Sequence, residues 1–177
     1  MPVAAIIGGG VIGAAWASRF LLHGWNVCFY DPAPHSEPVL RAVLDKARHW
    51  VPEIYDQLPP EGSLTVCGSI AEAAVDAEWV QESTPERLEV KQSVFRDIQA
   101  ACSEAAIVAS STSGFMPSEL QAGAVRPEQI LVAHPYNPVY LLPIVECVPS
   151  ALVPLATVER AELILRDIGM KPITLRA

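Results

Sequence analysis

The stretch Val3-Ala4-Ala5-Ile6-Ile7-Gly8-Gly9-Gly10-Val11-Ile12-Gly13, running on into Ala14-Ala15-Trp16-Ala17-Ser18-Arg19-Phe20-Leu21-Leu22, decides the fold. Five apolar residues in a row read as a strand buried on both faces, and the residues after Gly13 carry apolar side chains at helical spacing. Glycines make the turn between them. Gly8 permits a tight reversal, Gly10 lets a backbone approach a pyrophosphate, and Gly13 lets the helix sit close on the strand. Gly9, Val11 and Ile12 complete a loop whose free N–H groups and helix dipole face an anion. Gly24 stops the helix, Trp25 to Tyr30 reads as a second strand, and Asp31 closes it. An acid there accepts hydrogen bonds from ribose hydroxyls and repels a 2'-phosphate, which predicts NAD rather than NADP as cofactor.

Strand and helix signals alternate from there on. A turn over 31–38 leads to a helix through Val39, Leu40, Val43, Leu44, Ala47 and Trp50, and Leu58-Pro59-Pro60-Glu61-Gly62 breaks it. Leu64 to Val66 is a short strand, Ser69 and Glu72 have capping-box spacing, and Glu78 to Glu82 is the next strand. The pattern predicts a helix from Pro85 through Cys102, a strand at 105–109, a short helix at 117–122, a long one at 155–169 and a last strand at 172–175. This order predicts an α/β, Rossmann-type doubly wound domain over residues 1–177, with a mainly parallel sheet and helices on both faces.

Composition narrows the function classes. With 51% apolar and 18% charged residues the chain has the balance of a soluble globular protein, and no uninterrupted apolar run is long enough to span a bilayer. A formal charge of −8 argues against nucleic acid as a partner and tolerates a cationic or zwitterionic substrate. Cys28, Cys67, Cys102 and Cys147 are dispersed, which predicts buried thiols in a reducing compartment, with neither a disulfide framework nor a metal site. The first strand starts at once, with no basic region ahead of it, so the expected location is cytoplasmic.

The chemistry-bearing residues lie in the second half. Ser110-Ser111-Thr112-Ser113 is followed by His134-Pro135-Tyr136-Asn137-Pro138 and then by Ile144-Val145-Glu146. His134 ends one apolar run and Glu146 lies inside the next, so adjacent strands would let imidazole and carboxylate meet. Oxidising a secondary alcohol sends a hydride to a nicotinamide and the hydroxyl proton to a base, and imidazole titrates near neutral pH. A carboxylate on the other ring nitrogen fixes the tautomer. Ser113 and Asn137 would orient the oxygen as it becomes a carbonyl. Taken singly, such a histidine is a structural hydrogen bonder and such a glutamate a strand-edge charge; their joint spacing downstream of a nucleotide fingerprint favours catalysis. His23, His35 and His49 have no carboxylate close in sequence and read as surface residues.

The glycine turn, Asp31, Glu82-Ser83-Thr84-Pro85-Glu86, Ser110 to Ser113 and His134 to Pro138 fall in an order that resembles the 3-hydroxyacyl-CoA dehydrogenase superfamily over essentially the whole chain. Gln81 to Leu88, Ser110 to Gly114 and Asn137 to Pro143 are most similar to its carnitine-oxidising branch. The resemblance implies His134 as general base with Glu146 as its partner, and Ser113 and Asn137 against the substrate oxygen or the nicotinamide. Glu86 and Lys91, expected on the helix after the fourth strand, resemble the family's cofactor-contacting pair; read without the family, they are a solvated Glu and Lys on a helix surface. Ser111 departs from the asparagine of the CoA-using relatives, and Val39 to Tyr55 offers no clear phosphate cradle. The implied substrate is a small hydroxy compound, carnitine or a related 3-hydroxy acid. A 3-hydroxyacyl-CoA, L-gulonate and a non-catalytic NAD-binding module stay open. In the family a helical second domain follows, closes the pocket and makes the homodimer; this chain ends at Ala177 before any such segment, so weak turnover is expected of it alone.

Overall fold

In the computed structural model, which describes residues 1–175, eight strands form one sheet. In chain order they are β1 (Val3–Ile7), β2 (Asn26–Tyr30), β3 (Leu64–Val66), β4 (Trp79–Glu82), β5 (Ile107–Ser110), β6 (Ile130–Pro135), β7 (Ile144–Val148) and β8 (Lys171–Thr174). The helices are α1 (Val11–Leu22), α2 (Ser36–Trp50), α3 (Ile70–Ala74), α4 (Leu88–Ala101), α5 (Pro117–Leu120) and α6 (Leu155–Asp167). Arg176 and Ala177, the end of the predicted 1–177 domain, lie outside the described residues.

The sheet order is β3-β2-β1-β4-β5-β6-β7-β8, and the first six strands run parallel. Strand β7 turns antiparallel to β6, and β8 runs parallel to β7. The chain therefore winds outward in both directions from β1 and β4, whose C-terminal ends form the crevice where ligands bind in such sheets. Alternation along β1 builds two cores: Ala4 and Ile6 join Trp16, Phe20, Phe29 and Trp79 on one side, while Ala5 and Ile7 join Val80, Phe95, Ile98 and Val108 on the other. Burial on both faces is why these strands read as unbroken apolar runs. Ser69 caps α3, its hydroxyl accepting the Glu72 amide at 3.1 Å, as the capping-box spacing predicts.

Three expectations need correction. Helix α1 begins at Val11, with Gly10 as its N-cap, so the last glycine of the turn lies inside the first helical turn. Helix α4 begins at Leu88 and not at Pro85, which leaves Glu86 in the preceding loop; the Glu82 carboxylate accepts the Thr84 amide at 2.7 Å and holds that segment off the helix. His23, unlike the exposed His35 and His49, is buried. Its ring packs edge-on to Tyr55 at 5.1 Å, and Gly169 closes against it so tightly that a Cβ there would lie 2.6 Å from Nε2.

His23 makes stability pH-dependent. Its Nδ1–H donates to the Arg19 carbonyl at 2.9 Å, while Nε2 has no hydrogen-bond partner among the described residues. Burial lowers its pKa to about 4, so a second proton binds the unfolded chain before the folded one. The contribution is intact above the ordinary histidine value and is lost as pH falls from there towards 4, up to ~3 kcal/mol in all. Urea unfolding at descending pH should show this loss, and H23Q should flatten it; an unchanged acid limb in H23Q would show that other groups carry it.

Candidate active site

The glycine turn is built from its missing side chains. Gly8 has φ +105°, and a Cβ there would sit 2.5 Å from the Ser83 carbonyl oxygen, so β1 and the β4–α4 loop meet only because position 8 is bare. A Cβ on Gly13 would overlap the Gly8 carbonyl oxygen. Gly10 has nothing within 4 Å of its Cβ position and opens onto the crevice. The two positions therefore separate folding from binding. G13A should unfold at markedly lower temperature, by ~1–3 kcal/mol or more, because backbone meets backbone. G10A should melt like the parent while its NAD affinity falls about tenfold in a calorimetric titration.

Asp31 ties this turn to the end of β2. Its Oδ2 accepts the Gly9 amide at 2.5 Å and its Oδ1 the Ala33 amide at 2.7 Å. Each oxygen keeps a lone pair for a ribose hydroxyl. Beside it lies a cavity of about 410 Å³ lined by Tyr30, Asp31, Ile70, Pro85, Val90 and Val94, with Gly8 at its edge. Apolar walls, one carboxylate and the unobstructed start of α1 fit the adenosine and pyrophosphate of a dinucleotide.

A second cavity, of about 340 Å³, lies between the loop after β5 and the face of β6 and β7; Ser113, Phe115, Met116, His134, Glu146 and Leu175 are among its walls. The antiparallel register sets His134 directly opposite Glu146, and Nδ1 lies 2.8 Å from Oε2. The carboxylate only accepts, so Nδ1 carries the hydrogen and Nε2 keeps the lone pair a base requires. The second oxygen of Glu146 lies 3.4 Å from the Tyr136 hydroxyl. Asn137 does not line this cavity; it is exposed in the turn after β6, before a cis bond to Pro138.

Glu86 and Lys91 are placed differently from an exposed pair on one helix. Lys91, 1% exposed, pairs with the wholly buried Glu82 at 2.9 Å and with Glu86 at 3.2 Å. The half-exposed Glu86 accepts hydrogen bonds from the Thr112 hydroxyl and from the amides of Ser113 and Gly114. Burial alone would raise its carboxyl pKa, but the Thr112 hydroxyl and the Lys91 ammonium outweigh it and hold the value below the usual range. Glu86 thus fastens the loop that carries Ser113. Glu82, which the sequence reading passed over, also accepts the Ser110 hydroxyl at 2.5 Å and the Thr84 hydroxyl at 2.6 Å. Its signal was an acid closing a strand, as Asp31 closes β2. Ser111 points away from this group, into a network with Gln81 at 2.9 Å and Ser83 at 2.8 Å.

The glycine turn, Asp31 and the mainly parallel sheet define a dinucleotide-binding domain, with a histidine–carboxylate pair beside its crevice. Residues 3–177 match the family model described as 3-hydroxyacyl-CoA dehydrogenase, NAD binding domain. The chain belongs to that family, and NAD is its cofactor. It is 52% identical, over 99% of its length, to an L-carnitine dehydrogenase/betainyl-CoA thioesterase of Ruegeria pomeroyi, and spans 36% of that protein. It is 45% identical to an L-carnitine dehydrogenase of Mesorhizobium japonicum, covering 98% of this chain and 48% of the relative. The chain thus spans less than half the length of either. Among solved structures, an NAD⁺-dependent dismutase, FHMPC 5-dehydrogenase, superposes with TM-score 0.91 at 31% identity, over 99% of this chain and 58% of the other. The likeness to Escherichia coli 3-hydroxybutyryl-CoA dehydrogenase, at TM-score 0.86 and 23% identity over 98% of this chain and 38% of that one, is one of fold. No helix among the described residues is long and apolar enough to cross a membrane.

Proposed function

We propose that this domain serves the NAD-dependent oxidation of the 3-hydroxyl of L-carnitine to 3-dehydrocarnitine, with His134 as general base. The observation that carries the reading is the His134–Glu146 pair, 2.8 Å apart in one cavity with Ser113. NAD, when bound, accepts the hydride. His134 takes the hydroxyl proton on Nε2, Glu146 holds the ring by Nδ1 and stabilises the imidazolium, and Ser113 hydrogen-bonds the oxygen. Asn137, exposed in the turn after β6 and outside this cavity, is assigned to the nicotinamide end. Around the turn Gly8 to Gly13 the backbone receives the pyrophosphate, Asp31 the ribose, and Glu86 and Lys91 fix the loop at the nicotinamide end.

The walls of the second cavity support this choice of substrate. Among the described residues Phe115 and Glu146 line it and no lysine or arginine does, which suits a quaternary ammonium and disfavours the phosphates of a CoA thioester. The names of the relatives at 52% and 45% identity support the same choice. We assign residues 1–177 to one NAD-binding domain and the closure of the pocket, together with the homodimer, to a helical domain outside this chain. The test is NADH formation by the longest form of the protein with L-carnitine, a 3-hydroxyacyl-CoA and L-gulonate in parallel. Signal with carnitine alone is expected. Turnover of the thioester or sugar acid instead would overturn the substrate, and silence with all three, despite NAD binding, would leave a binding module.

A further inference from the structure

Cys28 and Cys67 are diagonal neighbours on one face of the sheet, at the edge formed by β2 and β3. The parallel register of β2 and β3 sets Cys28 opposite Thr65 and Phe29 opposite Val66, and the Cys67 amide continues the ladder by donating to the Phe29 carbonyl at 2.8 Å. Residues two apart on a strand share a face, so Cys67 points to the same side as Thr65 and Cys28. The Cys67 thiol donates to the Thr65 carbonyl at 3.9 Å, and both cysteines belong to one apolar cluster on that face. Both pack on the cluster that holds Ala5, Ile7, Ala73 and Val80, with Cys28 half-buried and Cys67 8% exposed. A small reagent thus reaches one sulfur of the pair, and the second sulfur waits behind it.

These positions bear on the nucleotide cavity. Tyr30 and Asp31 follow Cys28 by two and three residues, Ile70 follows Cys67 by three, and all of them line the cavity beside the glycine turn. We propose that Cys28 and Cys67 form a reversible disulfide that joins the two walls of this cavity at their base and weakens NAD binding. The oxidant is a low-molecular-weight disulfide. The Cys28 thiolate attacks one of its sulfurs and releases a thiol; the Cys67 thiolate then attacks the Cys28 sulfur and expels the second thiol. Two protein S–H bonds become one S–S bond, the reagent is reduced to two thiols, and the two protons go to the leaving groups. A disulfide requires the sulfurs ~2.0 Å apart, closer than any thiol–thiol contact, so the segment from Gly68 to Ile70 is drawn towards β2 and the cavity narrows. Burial raises the pKa of both thiols, that of Cys67 to about 11, and the nearby carboxylate of Glu72 adds to the effect, so exchange accelerates at alkaline pH.

The experiment incubates this chain with oxidised glutathione at mildly alkaline pH, maps its peptides by mass spectrometry and titrates NAD by calorimetry. A Cys28–Cys67 cross-linked peptide is expected, reversed by dithiothreitol, with NAD affinity about tenfold lower in the cross-linked form. C28A and, independently, C28V should lose both the cross-link and the oxidant effect while keeping the affinity of the reduced parent; two variants guard against a packing artefact at one. C147S should behave as the parent. Glutathione adducts without the cross-link would overturn the proposal, as would a cross-linked protein that binds NAD unchanged. Neither result bears on the substrate assignment, which is read from turnover.

Discussion

H134A in the longest form of the protein should lose ~10²–10⁴-fold in kcat, the usual worth of a positioned general base, while binding NAD with the affinity of the parent. The two sites are physically separate in this domain. The proposed NAD contacts are the turn after β1, Asp31 and the apolar cavity of Tyr30 and Ile70, whereas His134 stands on β6, three strands away from β1 in the sheet order. Removing the imidazole takes away the proton acceptor and leaves the nucleotide contacts as they were. E146Q should cost less, because a base remains, but the amide no longer stabilises the imidazolium and can hold the ring in either tautomer. The expected signature is a fall in kcat together with a displaced acid limb of the pH profile. Equal NAD affinity and equal turnover in H134A would remove His134 from the chemistry. A loss of NAD affinity as large as the loss of rate would instead make it a structural residue of the crevice.

What was legible in the sequence follows periodicity and local steric demand. Val3 to Ile7 is buried on both sides of a sheet, and that alone writes an unbroken apolar run. The glycines of the turn answer to backbone contacts within one βαβ unit, so their spacing is a local code. His134 and Glu146 could be paired before any coordinates, because two apolar runs joined by a short proline-rich turn place their residues on neighbouring strands. The antiparallel sense of β7 and β8 was less visible, since a buried strand looks the same in either direction. Least visible were the buried polar residues. His23 reads as a helix-end surface residue, and only Tyr55 and Gly169, distant in sequence, cover it. Lys91 reads as solvated because burying an ammonium is costly, and the carboxylate that offsets the cost comes from another element. Burial of a charge is a property of the pair, and the pair exists only after folding.

That pair yields the second large effect. K91M should lower stability by about 3–5 kcal/mol, which for a domain of this size corresponds to a fall of ~10–15 °C in melting temperature. The side chain of Lys91 is 1% exposed and that of Glu82 is fully buried, so removing the ammonium strands a carboxylate that water cannot reach. The remaining donors to Glu82, the Ser110 and Thr84 hydroxyls and the Thr84 amide, carry no full charge. Lys91 also spans to Glu86 at 3.2 Å, so the loop holding Ser113 should loosen in the same variant. The double variant E82Q/K91M separates the causes. With no charge left to strand, it should recover much of the lost stability, because a buried ion pair replaced on both sides costs far less than one that is broken. Glu86 keeps its hydrogen bonds from Thr112, Ser113 and Gly114 in the double variant but has lost its cation, so that loop should stay looser than in the parent even as the melting temperature rises. Thermal unfolding of the three proteins, read beside hydrogen exchange at the Ser113 and Gly114 amides, distinguishes the two roles. A double variant no more stable than K91M would mean that the cost lies in lost packing around the lysine stem and not in a stranded charge.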